Sequence, residues 1–404
     1  MLHRVHEILL VASPYDAFIL EEDGRLTAQI LHEYLGMNLS YAPRVWQANT
    51  AAYAMDLLSR RSIDLIIVML RISDMDPVTF GTKVKELYKN KPIILLAFDE
   101  SEVKQLPENI DEVIDNVFVW TGDSNVFPAI IKCIEDTKNV KRDIRKGNVR
   151  AILFIEDTPW YYSSILPVIY KETLYHTKQL IDKSLNDTQR LLHMRGRPKI
   201  LLAKSYEVAE KYFKQYKNNI LGIISDIRFP KNGKLHPNAG ILFAKYVHSI
   251  EPTMPVLLQS NEKETLELAR IITPNVLNKS SSTLFSELRE FIIYNFGFGD
   301  FVFKLPNGEE IGKAVNMEEL VEFISTIPEE SLNFHGSSNH FSNWLAARGE
   351  FKLATQFRMV KNTDFNNLEE RRQHHIDLIR NSQKTKQIGP VAEFRLTTKS
   401  LKAN

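Results

Sequence analysis

The chain has 404 residues, 51 basic and 50 acidic side chains, a net charge of +1, and 44% hydrophobic residues. This length is enough for two or three domains with hydrophobic cores. The balanced charge gives no electrostatic basis for nucleic acid or a membrane surface as a partner. The single cysteine, Cys133, excludes a disulfide framework and is typical of a cytoplasmic protein. The motifs GxxxxGK[ST] and GxGxxG do not occur, so no nucleotide-phosphate loop is predicted.

Short β-branched runs alternate with amphipathic helical stretches, and this alternation occurs twice along the chain. The first set of strands is predicted near Glu7–Val11, Arg44–Gln47, Asp64–Met69, Pro92–Ala97 and Asn116–Trp120. The second set is predicted near Arg150–Ile155, Lys199–Ala203, Gly222–Ser225, Pro255–Gln259 and Asn275–Asn278. Continuous apolar strands separated by helices indicate a parallel sheet that is covered on both faces. The sequence therefore predicts two α/β domains, each a doubly wound five-stranded sheet with strand order 2-1-3-4-5.

Four segments follow from this pattern. Residues 1–140 and 149–297 form the two α/β domains, residues 298–370 form a small hairpin-plus-helices module, and residues 371–404 read as a polar tail or linker. The hairpin is predicted to turn at Asn307-Gly308.

The second domain contains an unusually long helical pattern over residues 161–194. A helix of that length extends beyond its own sheet, because each residue adds about 1.5 Å. Two interpretations stay open: the helix covers the first domain, or it pairs with a second copy and forms a homodimer.

Polar side chains stand where the strands of the second domain end. Ligands of a doubly wound sheet bind at the carboxyl ends of its strands, so these positions define a candidate site. The side chains, in chain order, are Glu156 and Asp157 after strand 1, Asp226 after strand 3, Ser260 after strand 4 and Lys279 after strand 5.

These residue types favour phosphoryl transfer to a carboxylate. Clustered carboxylates repel one another unless a hard cation is bound, and oxygen ligands favour Mg²⁺. A carboxylate can attack phosphorus, and a cation with a hydroxyl can stabilise the phosphoryl oxygens. Asp226 is the predicted phosphoacceptor, with Lys279 and Ser260 contacting the phosphoryl group. The predicted Mg²⁺ ligands are Glu156, Asp157, Asp226 and the backbone carbonyl of Arg228.

The corresponding strand ends of the first domain lack this chemistry. Strand 1 ends at Val11 without an acidic pair, strand 3 has Met69 at the phosphoacceptor position, and strand 4 ends at Ala97. Trp120 stands where the lysine is expected. A thioether cannot accept a phosphoryl group, so the first domain is not expected to be phosphorylated at this site.

The second domain resembles the receiver domain of bacterial response regulators over about residues 149–296. The resemblance rests on the acidic pair, on Asp226 with Pro230 four residues later, and on the hydroxyl and lysine at their strand ends. It implies phosphorelay signalling with a histidine kinase or a phosphotransfer protein as partner, and it makes the first domain a degenerate receiver. Two departures, Val276 in place of an aromatic switch residue and a longer loop at Lys231–Pro237, argue against the usual coupling to an output.

Three further segments carry a closer resemblance. Ile223–Pro230, Phe296–Phe303 and His340–Glu350 are similar to the N-terminal regulatory half of bacterial phosphoenolpyruvate synthase-related proteins. That resemblance implies a catalytic phosphoenolpyruvate synthase-like domain as partner, outside this chain. The chain itself is expected not to be an enzyme beyond accepting a phosphoryl group on Asp226. A non-phosphorylated scaffold of two receiver-like domains is the remaining alternative.

Several histidines stand close together in the last hundred residues, namely His335, His340, His374 and His375. Histidine is a common metal ligand, but no acid or cysteine accompanies these residues at ligand spacing. Packing, capping or exposure to solvent is therefore the favoured interpretation.

Overall fold

The computed structural model describes residues 2–22, 26–36, 42–182, 196–360 and 364–400, with side chains described as far as residue 384. The chain divides into two compact units. The first contains residues 1–247 and 256–289, and the second contains residues 248–255 and 290–404. No helix within the described ranges is both long enough and apolar enough to cross a membrane.

The first five strands form one parallel sheet. The strands are β1 Glu7–Val11, β2 Arg44–Ala48, β3 Leu65–Met69, β4 Ile93–Ala97 and β5 Asn116–Val119, in the order β2-β1-β3-β4-β5. The helices of this part of the chain are Pro14–Glu22, Leu26–Gly36, Ala51–Arg60, Pro77–Leu87, Glu100–Lys104 and Val126–Gly147. Every residue of β3 and β4 is buried, as expected for central strands covered on both faces. Thr50 and Asp76 cap two of the helices through their side-chain oxygens.

A second parallel sheet repeats this order. Its strands are β6 Ala151–Ile155, β7 Lys199–Ala203, β8 Ile220–Asp226, β11 Val256–Ser260 and β12 Val276–Asn278, arranged as β7-β6-β8-β11-β12. Its helices are Pro159–Asp182, Tyr206–Tyr216, Ala239–Ile250, Lys263–Arg270 and Leu284–Asn295. Counted along the chain, both sheets have the order 2-1-3-4-5, and the predicted fold class is confirmed.

A two-stranded hairpin stands between β8 and its helix. Strands β9 Phe229–Lys231 and β10 Lys234–His236 pair in antiparallel fashion. Asn232 and Gly233 form the turn with φ values of 53° and 72°. Both values are typical of a two-residue turn that matches the twist of the strands. The segment predicted as a longer loop is thus an ordered hairpin.

The helix Pro159–Asp182 packs against β5, the edge strand of the first sheet. The Tyr162 hydroxyl donates a hydrogen bond to the Val117 carbonyl. The Val119 amide donates to Ser163 Oγ over 2.9 Å. Of the two interpretations of residues 161–194, these contacts support a helix that covers the first domain. Residues 183–195 of that pattern lie outside the described residues.

A buried carboxylate links the last helix of the first sheet to the start of β7. Asp136 forms an ion pair with Arg197 and lies 3.4 Å from Lys199 Nζ. It also accepts hydrogen bonds from the Tyr170 hydroxyl, at 3.2 Å, and the Ile200 amide, at 3.0 Å. Although burial opposes it, the two cations hold the pKa of Asp136 below its ordinary value. The carboxylate is therefore a fully compensated charge within the first unit.

The second unit contains the small module. A hairpin of β13 Phe301–Lys304 and β14 Glu310–Ala314 turns at Gly308, as predicted. The helices that follow are Met317–Thr326, Glu329–Ser337, His340–Ala347, Phe351–Met359 and Leu368–Ser400. Phe301, Phe303, Phe341 and Trp344 are buried in its core. His335 and His340 face each other with their Nδ1 atoms 3.0 Å apart, which matches the interpretation of packing.

The predicted polar tail from residue 371 differs from the structure. The chain forms a helix there, and Arg371, Arg372, Ile376 and Ile379 are buried. The Arg372 guanidinium donates to the carbonyls of Ile324 and Ile327, at the end of another helix. Arginine can be buried when its donors are satisfied and its stem packs on apolar groups. The polar composition of this segment therefore led to the prediction of a tail, although the segment forms a helix that packs on the module.

Candidate functional site

The predicted site residues meet at one edge of the second sheet. Glu156 and Asp157 follow β6 directly, Asp226 is the last residue of β8, Ser260 ends β11 and Lys279 follows β12. Strands β6, β8, β11 and β12 are successive neighbours in a parallel sheet, so their carboxyl ends lie side by side. The sheet thus brings together the five side chains that the sequence predicted.

Three carboxylates approach one another closely at this edge. Glu156, Asp157 and Asp226 each offer an oxygen, and these oxygens all lie within 4.8 Å of one another. Lys279 Nζ is 2.5 Å from Glu156 Oε2 and 3.0 Å from Asp226 Oδ1. The Ile227 amide also donates to Asp226 Oδ1, over 2.8 Å. Three carboxylates and one ammonium group carry a formal charge of −2, which one divalent cation would balance.

Burial makes this negative charge costly. It raises the pKa of Glu156 to about 8, with Lys279 opposing and Asp226 reinforcing the effect. Burial and the charge of Asp226 raise the pKa of Asp157 to about 6. Although burial opposes it, the charges of Glu156 and Asp226 raise the pKa of Lys279. Without a cation Glu156 and Asp157 therefore hold their protons to a higher pH than exposed carboxyl groups do, and a cation would displace those protons.

The oxygen atoms of the site fit a hard cation. Asp157 Oδ1 is buried and has no hydrogen-bond partner among the described residues. An all-oxygen donor set with a net negative charge suits Mg²⁺ better than a soft metal. Within the described ranges, this is the one group of three or more acidic, histidine or cysteine side chains with metal-binding spacing.

Ser260 and Arg228 occupy the rim of the site. Ser260 Oγ accepts a hydrogen bond from the Glu262 amide at 3.1 Å, and this leaves its hydroxyl hydrogen available to donate. The Arg228 guanidinium is exposed and lies 3.9 Å from a carboxylate oxygen of Glu262. The predicted role of Arg228 belongs to its backbone carbonyl and stays a prediction.

Two residues that pack against the site were missed by sequence reasoning. The Tyr161 ring lies with its centroid 4.1 Å from Lys279 Nζ. Gly240 lies against the backbone of Asp226, where a Cβ would come within 2.2 Å of the Asp226 carbonyl oxygen. An aromatic residue four positions after the acidic pair, and a glycine at the start of a helix, were the available signals. Neither signal specifies a contact without the packing of the helices.

The backbone identifies the corresponding positions of the first sheet. In the first sheet the Ala12 amide donates a hydrogen bond of 3.0 Å to the Ala48 carbonyl. In the second sheet the Glu156 amide donates an equivalent bond of 3.0 Å to the Ala203 carbonyl. Met69 pairs with Leu96 as Asp226 pairs with Gln259. The Trp120 amide donates to the Ala97 carbonyl as the Lys279 amide donates to that of Ser260. Ala12, Met69, Ala97 and Trp120 therefore occupy the positions of Glu156, Asp226, Ser260 and Lys279.

No protein-family model matches the chain, and no curated protein matches it. One similar solved structure is the signal receiver domain of an HD domain-containing protein from Pseudomonas fluorescens Pf-5. It has 22% identity and a TM-score of 0.27, and the match covers 35% of this chain and 96% of that one. Another is NtrX from Brucella abortus, with 10% identity, a TM-score of 0.29, and coverage of 88% and 82%.

Proposed function

We propose that the second sheet is a receiver of a phosphorelay, in which Asp226 accepts a phosphoryl group with Mg²⁺ held by Glu156, Asp157 and Asp226. The observation that carries this proposal is the closely spaced carboxylate group with Lys279 paired to two of its members. A scaffold has no need for two buried carboxylates and a half-buried one beside one lysine, because burying charge costs several kcal/mol per ion in real proteins.

The chain's own residues divide the work of the reaction. Both contacts described above engage Oδ1 of Asp226, so Oδ2 is the oxygen assigned to attack. It forms a bond to phosphorus while the bond from phosphorus to the donor atom breaks, and the leaving group takes that electron pair. The donor atom is an imidazole nitrogen in a phosphohistidine and an oxygen in acetyl phosphate. Lys279 would pair with one phosphoryl oxygen and Ser260 would donate a hydrogen bond to another. The bound Mg²⁺ would supply positive charge to the phosphoryl oxygens.

The partner is proposed to be a histidine kinase or a phosphotransfer protein of the cytoplasm, because these hold phosphoryl groups in a transferable form. Apart from accepting the phosphoryl group, the chain is proposed to have no enzymatic activity. The similarity to the regulatory half of phosphoenolpyruvate synthase-related proteins stays a prediction, since neither solved structure above bears on it.

The test is phosphorylation of the purified full chain by acetyl phosphate, read by intact mass. We expect the wild type to gain one phosphoryl group with Mg²⁺ present, and to gain none when the ion is chelated. Asp226→Asn should gain none, because an amide does not attack phosphorus at neutral pH. Asp74→Asn is the matched control, since this exposed carboxylate lies in the first domain and caps a helix. A wild type that gains no phosphoryl group would contradict the proposal, and if it also binds no Mg²⁺ the scaffold interpretation remains.

A further inference from the structure

Tyr161 contacts two of the loops that carry the site, the one after β11 and the one after β12. Its ring lies over Lys279, with 4.1 Å between the ring centroid and Nζ. Its hydroxyl accepts a hydrogen bond from Asn261 Nδ2 over 2.6 Å. Asn261 in turn accepts a hydrogen bond from Ser280 Oγ over 3.1 Å. Because Asn261 follows Ser260 and Ser280 follows Lys279, the tyrosine contacts both loops that would hold the phosphoryl group.

The next two residues on the same helix reach the first sheet. Tyr162 donates to the Val117 carbonyl, and Ser163 accepts from the Val119 amide. The Tyr162 ring also packs edge-on against Phe118, with 5.3 Å between ring centroids. Strand β5 is the edge of its sheet, so its outward amide and carbonyl groups need partners from elsewhere. The helix supplies them, and both side chains are buried.

Phosphorylation of Asp226 is therefore expected to act on the helix Pro159–Asp182, which carries Tyr161, Tyr162 and Ser163. A phosphoryl group on Asp226 adds oxygen atoms that compete with Glu156 for Lys279, so the ammonium group is expected to move toward them. Attraction between a cation and an aromatic face depends on their separation, so the Tyr161 ring would follow or lose its partner. Successive residues of one helical turn cannot move independently, because the backbone hydrogen bonds hold them together.

We propose that Tyr161 is a positioning residue that senses a phosphoryl group on Asp226 through Lys279, and that Tyr162 and Ser163 pass the change to β5. The first sheet is then the element that the second sheet regulates. This inference rests on the proposed function. It also assigns a purpose to a domain whose own strand ends cannot be phosphorylated, and it supplies the aromatic contact that Val276 does not provide.

The test follows amide hydrogen exchange of the full chain, with and without acetyl phosphate and Mg²⁺, in the peptide that covers residues 116–120. Phosphorylation of the wild type should change exchange there by about fivefold, the factor that one ordinary hydrogen bond represents. Tyr161→Leu should still gain the phosphoryl group by intact mass but should lose this response. Tyr161→Phe keeps the ring over Lys279 and should retain the response.

Tyr175→Leu is the matched control, because this tyrosine lies on the same helix with 60% of its surface exposed. It should behave as the wild type does. A phosphorylated wild type without a change at residues 116–120 would overturn this inference and leave the proposed function intact. So would a Tyr161→Leu variant that responds as the wild type does. A wild type that gains no phosphoryl group would overturn both proposals.

Discussion

In the first sheet the strand ends bury a methionine and a tryptophan, whereas the matching ends of the second sheet bury an aspartate and a lysine. The strand order and the backbone pairing around these positions are the same in the two sheets. The same fold therefore accommodates a charged site at the strand ends of one sheet and apolar side chains at those of the other. A charged set at this place carries an electrostatic cost that an apolar set avoids. Three buried charged groups, Glu156, Asp226 and Lys279, stand at the strand ends of the second sheet, and their cost favours a functional role for this site.

The largest effect is expected from Lys279→Met, which removes the one cation from the second site. The buried carboxylates of Glu156 and Asp226 would remain without a cationic partner, and the free energy of unfolding should fall by about 3–5 kcal/mol. Urea titration measures this change, and added Mg²⁺ should recover part of it. Lys204→Met is the matched control, because the ion pair of Lys204 with Asp111 is largely exposed and worth about 1 kcal/mol or less. An equal loss of unfolding free energy in Lys279→Met and Lys204→Met would contradict the inference that Lys279 compensates the carboxylates of the second site.

The reverse change, Met69→Asp, introduces a carboxylate at the position of the first sheet that corresponds to Asp226. Met69 is buried and the lysine position there is Trp120, so the free energy of unfolding should fall by about 3 kcal/mol. Intact mass should show no additional phosphoryl group. Met359→Asp, at a side chain that is 72% exposed, should change stability little. A second phosphoryl group on Met69→Asp would show that the other strand ends matter less than we infer.

Gly240→Ala tests how closely the second site is packed from behind. The new Cβ would overlap the Asp226 carbonyl oxygen, so the helix or the strand end must shift. We expect a loss of about 1–3 kcal/mol in the free energy of unfolding and slower phosphorylation. Gly81→Ala is the control in the first domain, because a Cβ there meets its neighbours at ordinary contact distances of 3.4 Å and more. If Gly240→Ala is phosphorylated at the wild-type rate, the close packing of Gly240 against Asp226 does not determine the position of the carboxylate.

The smallest effect concerns pH. The pKa of Asp157, raised to about 6, means that the folded metal-free site binds protons more tightly than the unfolded chain does. Its contribution to stability is therefore present below the unfolded pKa near 4 and is lost as pH rises through about 6. Mg²⁺ competes with these protons, so its affinity should rise over the same interval. Calorimetric titration with Mg²⁺ at pH 5 and pH 7 measures this, and Asp157→Asn should weaken the dependence. Equal affinities at both pH values would argue against Asp157 as a ligand.

The sequence predicted the positions of Glu156, Asp226 and Lys279 because apolar strands reveal their own ends. Parallel pairing then requires those ends to meet. The hairpin at Asn232-Gly233 was missed because its strands have only three residues each, too few to show alternation. Tyr161 was missed because its contact depends on how a helix lies on the sheet.

The packed helix after residue 371 was missed for a different reason. Hydropathy treats arginine as exposed, while the structure satisfies the Arg372 guanidinium with carbonyls at the end of another helix. Burial of this kind depends on partners that are distant in sequence, and composition alone does not reveal them.

The carboxylate of Asp136 has a consequence for how this protein can be divided. Its cationic partner Arg197 lies beyond the polar segment that separates the two sheets in sequence. A cut near Asn148 would leave the buried acid and the bare outer edge of β5 in the first fragment, and the Arg197 guanidinium without its carboxylate in the second. The smallest independently stable piece is then the pair of sheets together. A chimaera that replaces one sheet with that of a related protein would therefore need to keep the contacts of Asp136 with Arg197 and of β5 with the helix Pro159–Asp182.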